Sequence, residues 1–365
     1  MNRRHFSALL IAVMAVVIAL VILVPSRSGH NSMPVESLFL PELGARINEA
    51  SKLEVTTAGG ALLTTIEKGE QRWTIMELDH YPADWNHLGN LLADLARASV
   101  VELKTSNPAY FSRLGVEDIG NADATGVLLE IHIGDQALAV VVGNKASSRN
   151  GQYLRLADDS QSVLIDRPLD VPLEPLDWAD DEIVDIASAL VAQVEIEHAG
   201  GERILARKIS ASDSDFTLEN LPQGREQLSS WSVNSLAGVF SGLRMDAVKA
   251  DSELSAGPAD VKVTVLMFSG VEITAELFER EEQGWIRIRA SAPVAADVGN
   301  LDTQAEPIEQ DTARTTIKTA NETASEINER TNGWLYRLPG TRVDSMSKTL
   351  EQLLKPLDEP VDAGS

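Results

Sequence analysis

The hydropathy pattern opens on Phe6 to Val24, 19 residues without a charge and rich in Leu, Ile, Val and Ala. As a helix rising ~1.5 Å per residue this run spans about 28 Å, the thickness of a hydrocarbon core. A cleaved signal would have a shorter apolar region ending in a small-x-small site. Here Val21-Ile-Leu-Val24 leads straight into Pro25, so the pattern predicts an uncleaved transmembrane anchor. Arg3 and Arg4 ahead of it favour a cytoplasmic N-terminus. The expectation is a single-pass membrane protein with residues 1–30 as tip, anchor and flank and the bulk of the chain outside, which in a Gram-negative bacterium means an inner-membrane anchor and a periplasmic body.

Beyond residue 30 the pattern changes to short alternating runs. Pro34 to Ile47 reads as a connector with a turn of helix whose Leu38, Leu40, Leu43 and Ile47 dock on a sheet. Lys52–Thr57 and Ala61–Lys68 read as strands joined across Ala58-Gly59-Gly60, because glycine tolerates the positive φ of tight turns. A third run covers Gln71–Leu78, after which Leu88, Leu91, Leu92 and Leu95 recur at helical spacing behind Asp84, a candidate N-cap. Strands resume at 127–133, 136–142, 153–156 and 162–165, the first alternating strictly through Val127, Leu129, Ile131 and Ile133, as a strand with one wet face does. Hairpin-length connections cannot make parallel pairs, so the class is α+β with mainly antiparallel sheet.

The series then recurs. Lys52-Leu-Glu-Val-Thr-Thr-Ala-Gly-Gly60 aligns without a gap on Gln193-Val-Glu-Ile-Glu-His-Ala-Gly-Gly201, Trp73-Thr-Ile75 answers to Phe216-Thr-Leu218, and the four leucines answer to Leu236, Val239, Phe240 and Leu243. Val127–Ile133 likewise matches Val261–Met267. Drifting offsets of this kind suit loop insertions in duplicated domains. The expected organisation is a first α+β repeat at 31–166, a Pro/Asp-rich linker at 167–187, a second repeat at 188–356 carrying an acidic insertion at 291–331, and a flexible tail at 357–365. Inside the insertion, Ile317, Ala320, Ala324 and Ile327 suggest a weak amphipathic helix, and a closing helix is expected around Ser345–Leu354.

Composition narrows the functional classes. The formal net charge is −24, and the first 30 residues contain three arginines and no acid, so the excess of carboxylates lies wholly in the body. Such a surface repels phosphate backbones, which makes nucleic acid an improbable partner. The absence of cysteine removes disulfides, thiolate metal sites and cysteine nucleophiles. No dinucleotide-binding glycine fingerprint, phosphate-binding loop, zinc-protease helix motif or nucleophile elbow occurs. The expectation is therefore no catalytic residue, no cofactor and no metal ligand, and a protein that is not an enzyme.

Three bland readings accompany it. His80 and His87, with Asp79 or Asp84, are solvated helix-flank groups more readily than metal ligands, and the other histidines are scattered singly. Asp180, Asp181, Glu182 and Asp185 lack a calcium-loop pattern and read as caps of a helix start. The six tryptophans, 73, 85, 178, 231, 285 and 334, sit at similar places in the two series and read as core anchors rather than a ligand platform.

Several stretches carry a family likeness: Tyr81-Pro-Ala-Asp84, Thr105–Gly115 with Tyr110-Phe-Ser-Arg-Leu-Gly115, Val171–Asp177 before Trp178, Glu182-Ile-Val-Asp-Ile186, and Gly333-Trp-Leu-Tyr-Arg-Leu-Pro339. Over roughly residues 35 to 355 the chain resembles the bacterial "domain of unknown function 4340" proteins, whose pattern is an N-terminal membrane helix and repeated strand-rich units. Members are often encoded beside ABC-type export or gliding-motility transporter components. The resemblance implies an accessory or scaffold subunit beside an integral-membrane partner such as an ABC transporter permease, and supplies no active-site residues. The alternatives are an envelope glycan- or lipid-binding module and an uncharacterised hydrolase, the latter requiring His80, His87 or the 180–185 acids to converge.

Overall fold

The computed structural model describes residues 36–356 apart from 148–149, 220, 253–256, 281–282 and 293–306; of 307–318 only the backbone course is described. The described residues divide into two compact units, 36–62 with 90–170 and 63–89 with 171–356.

The first unit opens with helix α1 (Pro41–Arg46), whose proline at the first turn forfeits a donor that would be unpaired anyway. Its Leu43 is fully buried. Strand β1 (Ala50–Thr57) follows and ends in Gly59 and Gly60, both at φ +74, the left-handed backbone that the hairpin signal required. After the chain returns to this unit, β5 (Val100–Leu103), β6 (Val127–Ile133), β7 (Gln136–Lys145), β8 (Gln152–Leu156) and β9 (Ser162–Ile165) complete an antiparallel run in the order β1-β6-β7-β8-β9-β5. One face buries Leu53, Val55, Leu129, Ile131 and Val140. The other is partly covered by residues 108–126, whose Phe111, Val116 and Ile119 pack with Val141.

The second unit begins with the meander β2 (Ala61–Lys68), β3 (Trp73–Ile75) and β4 (Tyr81–Pro82). Helix α2 (Trp85–Arg97) starts there, with Asp84 Oδ1 accepting from the Asn86 N–H at 2.8 Å as its cap, and buries Leu88, Leu91, Leu92 and Leu95. Further on come β10 (Glu182–Val184), β11 (Val191–His198), β12 (Arg203–Arg207), β13 (Thr217–Glu219), the short helix α3 (Ser230–Asn234), β14 (Leu243–Arg244), β15 (Ala247–Ala250), β16 (Val261–Met267), β17 (Glu272–Arg280) and β18 (Gln283–Ser291). The long helix α4 (Pro307–Thr331), strand β19 (Trp334–Arg337) and helix α5 (Gly340–Met346) close it. Eight of these strands form an antiparallel sheet in the order β13-β12-β11-β16-β17-β18-β19-β15, and β10 pairs with β14.

The wiring of the two sheets is the same. In each, an opening strand (β1, β11) pairs with the first member of a four-strand meander (β6 to β9, β16 to β19), and the strand preceding that meander (β5, β15) lies at its far end. Helix α4 enters between the last two meander strands of the second sheet, where Asn328 exchanges hydrogen bonds with the backbone of Ala290 at 2.7 and 2.9 Å. That exchange satisfies backbone groups of β18 that a strand edge would leave to water.

The α+β class with antiparallel sheets is what the structure gives, and the transmembrane element attached to it is corrected. Among the described residues no helix is long and apolar enough to cross a membrane. The longest, α4, has the length but carries Glu309, Asp311, Arg314, Lys318, Glu322, Glu326, Glu329 and Arg330, each costly in hydrocarbon. The expected span, Phe6–Val24, lies outside the described residues. With it, the single-pass inner-membrane localisation, the membrane contact through residues 6–24 and the membrane-anchored transporter accessory with a permease partner are withdrawn. The tail at 357–365 and the loop at 293–306 also lie outside the described residues.

Two local expectations shift as well. The closing helix spans Gly340–Met346 rather than Ser345–Leu354, because Pro339 starts it early, while Leu353 and Leu354 are buried beyond it in a short 3-10 turn and a β-bridge. The acids at 180–185 cap no helix, since they flank and enter β10.

Candidate functional site

Two clusters of chemistry-bearing side chains stand out, one in each unit. On the wet face of β1 and β6, the antiparallel register sets Glu54 directly opposite Glu130 and Lys52 opposite His132. Period-2 alternation puts Glu130 and His132 on the same side of β6. The His132 Nε2 lies 3.0 Å from Glu54 Oε2, and Lys52 Nζ lies 2.7 Å from Glu54 Oε1. Ligand-capable atoms of Glu54, Glu130 and His132 all fall within 4.8 Å of one another, the one group of three or more such residues found among those described. Burial by itself raises the Glu54 carboxyl, but hydrogen bonds from Lys52 and His132 outweigh it and hold the group below its ordinary value of 4.5. Glu54 is thus an ionised, half-buried acceptor with a cation on one oxygen and an imidazole on the other.

The second cluster is aromatic. Tyr81 packs edge-on against Trp334 and Tyr336, with ring centroids 5.0 and 6.2 Å away. Tyr336 donates its hydroxyl to the Arg330 carbonyl at 3.0 Å. Burial pushes both phenols above the usual tyrosine value, so neither is a base at neutral pH. Nearby in sequence, the Asp84 N–H donates to the Trp178 carbonyl at 2.8 Å, and His87 meets the fully buried Trp178 edge-on at 5.2 Å. The stretches Tyr81–Asp84, Trp178 and Gly333–Pro339, singled out in the sequence, are therefore mutual packing partners.

The remaining candidates fall into place singly. His80 is exposed and His87 is held against Trp178, and neither joins a metal-capable group among the described residues. Asp180 pairs with Arg330 at 3.0 Å, Asp181 with Arg244, and Glu182 with Arg244 at 3.4 Å, while Asp185 accepts from the Gly242 N–H at 2.8 Å. A cavity of about 300 Å³ between β10 and α4 is lined by residues that include Ile183, Asp185, Thr323, Glu326 and Arg330, and the Thr323 hydroxyl donates to the Thr319 carbonyl at 3.0 Å. Trp73, Trp178 and Trp285 are buried, as core anchors would be. Trp85 and Trp231 are not: they stand 58% and 80% exposed, in the first turns of α2 and α3.

Glu54, Glu130 and His132 do not stand out in the sequence because their proximity depends on a strand pairing across 78 residues. The available signal was the alternation itself, which places Glu130 and His132 on the wet side of β6, and Lys52 and Glu54 on that of β1.

These features define an α+β protein built from two similarly wired antiparallel sheets. A family described as a domain of unknown function, DUF4340, matches residues 73–260, just over half of the chain, and the chain belongs to that family. The match is narrower than the span of the resemblance and carries no sign of a transporter or of gliding motility. No curated protein and no solved structure matches the chain.

Proposed function

We propose that this protein is a non-catalytic binding module, made of two copies of one sheet-plus-helix unit, that grips a protein partner through Trp85 and Trp231. The observation that carries the reading is the repeated placement of an exposed indole. Trp85 follows the β2-β3-β4 meander and Trp231 follows the β11-β12-β13 meander, and each occupies the first turn of the next helix. Scattered exposed apolar residues are ordinary on any surface, but tryptophan is costly to leave in water and is enriched among residues that dominate protein interfaces. Repetition at matching positions is what separates these two from chance. The copies have diverged around the indole: Trp85 stacks on Trp73, with centroids 6.5 Å apart, whereas Trp231 is the more open of the two.

The non-catalytic part rests on the pairing of polar groups. The acids of the 180–185 segment are each engaged by arginine or backbone, and the buried tyrosines are held protonated. The test is a photo-crosslinking residue placed at 85, at 231 and at the exposed control position 209, in cells that make the protein natively. A discrete adduct from 85 and 231, absent from 209 and diminished by alanine at the other tryptophan, is expected. Equal labelling at all three positions, or none at 85 and 231, overturns the reading.

A further inference from the structure

The cluster on β1 and β6 gathers two carboxylates and an imidazole, and its counterpart in the second sheet does not. Glu54 and Glu130 are directly opposed like charges, an arrangement that destabilises a sheet unless something positive lies between them. Through the matched wiring, Glu54 corresponds to Glu195, Glu130 to Thr264 and His132 to Leu266, with Glu195 opposite Thr264 and Gln193 opposite Leu266. There Glu195 is ion-paired with Arg203, which also lies 3.8 Å from Glu197, and Thr264 and Leu266 stand where the first sheet has Glu130 and His132. The first sheet thus holds three convergent ligand atoms, one of them an imidazole nitrogen, where the second holds two acids sharing an arginine.

We propose that Glu54, Glu130 and His132 bind one divalent first-row transition-metal ion, such as Zn²⁺, bridging β1 and β6. Three atoms no more than 4.8 Å apart can share a centre. The centre is at most about 2.8 Å from each, and small side-chain adjustments bring this to the ~2.0–2.2 Å of zinc bonds. An imidazole beside two carboxylates favours such an ion over magnesium or calcium, which prefer all-oxygen surroundings. Lys52 does not block it. Its ammonium holds Glu54 Oε1 and leaves Oε2, the oxygen facing His132, for the ion. On binding, the neutral imidazole carries its one ring proton on Nδ1, and the Nε2 lone pair bonds the metal in place of the contact with Glu54. The remaining coordination positions are left to water or to a donor from a partner, and the site stands independently of the indole surface.

Tag-free, full-length protein stripped with chelator and titrated with Zn²⁺ by calorimetry, and with Co²⁺ by visible absorption, tests this. One equivalent should bind with Kd below about 10 µM, with Co²⁺ giving d–d bands and Zn²⁺ raising the melting temperature. His132→Gln and Glu130→Gln should each weaken binding at least about 100-fold while leaving far-UV circular dichroism unchanged, and Glu195→Gln should bind as the parent does. Absence of saturable binding below about 1 mM, or equal binding by His132→Gln, Glu130→Gln and the parent, overturns the proposal.

Discussion

Arg155 shows how much one side chain can carry in this fold. It is 3% exposed, and its guanidinium donates to the carbonyls of Val116, Leu156, Ala157 and Asp159 at 2.8 to 3.2 Å and to Asp118 Oδ1 at 2.6 Å, over the ring of Phe111. The fork spreads Nε, Nη1 and Nη2 over these acceptors, with the two Nη1 hydrogens shared among three carbonyls, and an ammonium cannot reach them all. Arg155→Met should strand several buried carbonyls and cost roughly 3 kcal/mol in urea unfolding, and Arg155→Lys should recover little of it. Asp166 gives the pH dependence. Hydrogen bonds from Arg167, together with one from the Ser99 N–H at 3.0 Å, hold its carboxyl below the ordinary 3.8 despite partial burial. A depressed folded value means that the stabilisation is complete above the unfolded value and fades as pH falls through the folded one. Stability should therefore drop with acidification below about pH 4, and Asp166→Asn should flatten that part of the profile in melting temperature against pH.

Among the elements, the 108–126 segment is seated by backbone approach rather than by apolar pattern. A methyl group on Gly143 would collide with the Leu114 carbonyl, and Gly126 faces the Gly115 carbonyl as closely. Gly143→Ala should cost about 1–3 kcal/mol by overpacking, measurable by denaturant unfolding and accompanied by raised amide exchange across 110–119. Close approaches of this kind were invisible in the pattern, whereas strands with strict alternation were legible to the residue: β6 and β16 begin and end where the sequence places them. The helix expected from Leu236, Val239, Phe240 and Leu243 fared differently. All four are buried, yet α3 stops at Asn234, a 3-10 turn follows, and Leu243 belongs to β14. Gly238 and Gly242, the latter at φ +52, break the period there, so the leucine spacing reported burial correctly and conformation incorrectly. The same limit hid the metal-capable cluster, since period-2 alternation assigns a residue to a face and says nothing of which strand lies beside it.

At the scale of the molecule, the common wiring and the charge pull the argument in different directions. Two sheets with one strand order make a scaffold built twice, and such a scaffold leaves function to the side chains each sheet carries. The charge acts on stability. A formal net charge of −24 sets carboxylates against one another across the surface, a repulsion that the folded state concentrates and the unfolded chain relieves. Salt acts on both sides of this balance. It screens the repulsion, and it also weakens surface ion pairs such as Arg46 with Glu49 or Lys355 with Glu226. Exposed pairs contribute only about 0–1 kcal/mol each and act at one contact, whereas unbalanced charge is felt between every pair of carboxylates within a Debye length, about 10 Å at 0.1 M. The repulsion should win. Raising NaCl from 10 to 200 mM should therefore increase the melting temperature, and an uncharged osmolyte matched in osmolality should not reproduce the gain. A decrease with salt would mean that the paired arginines, not the excess acids, govern the electrostatics of the fold.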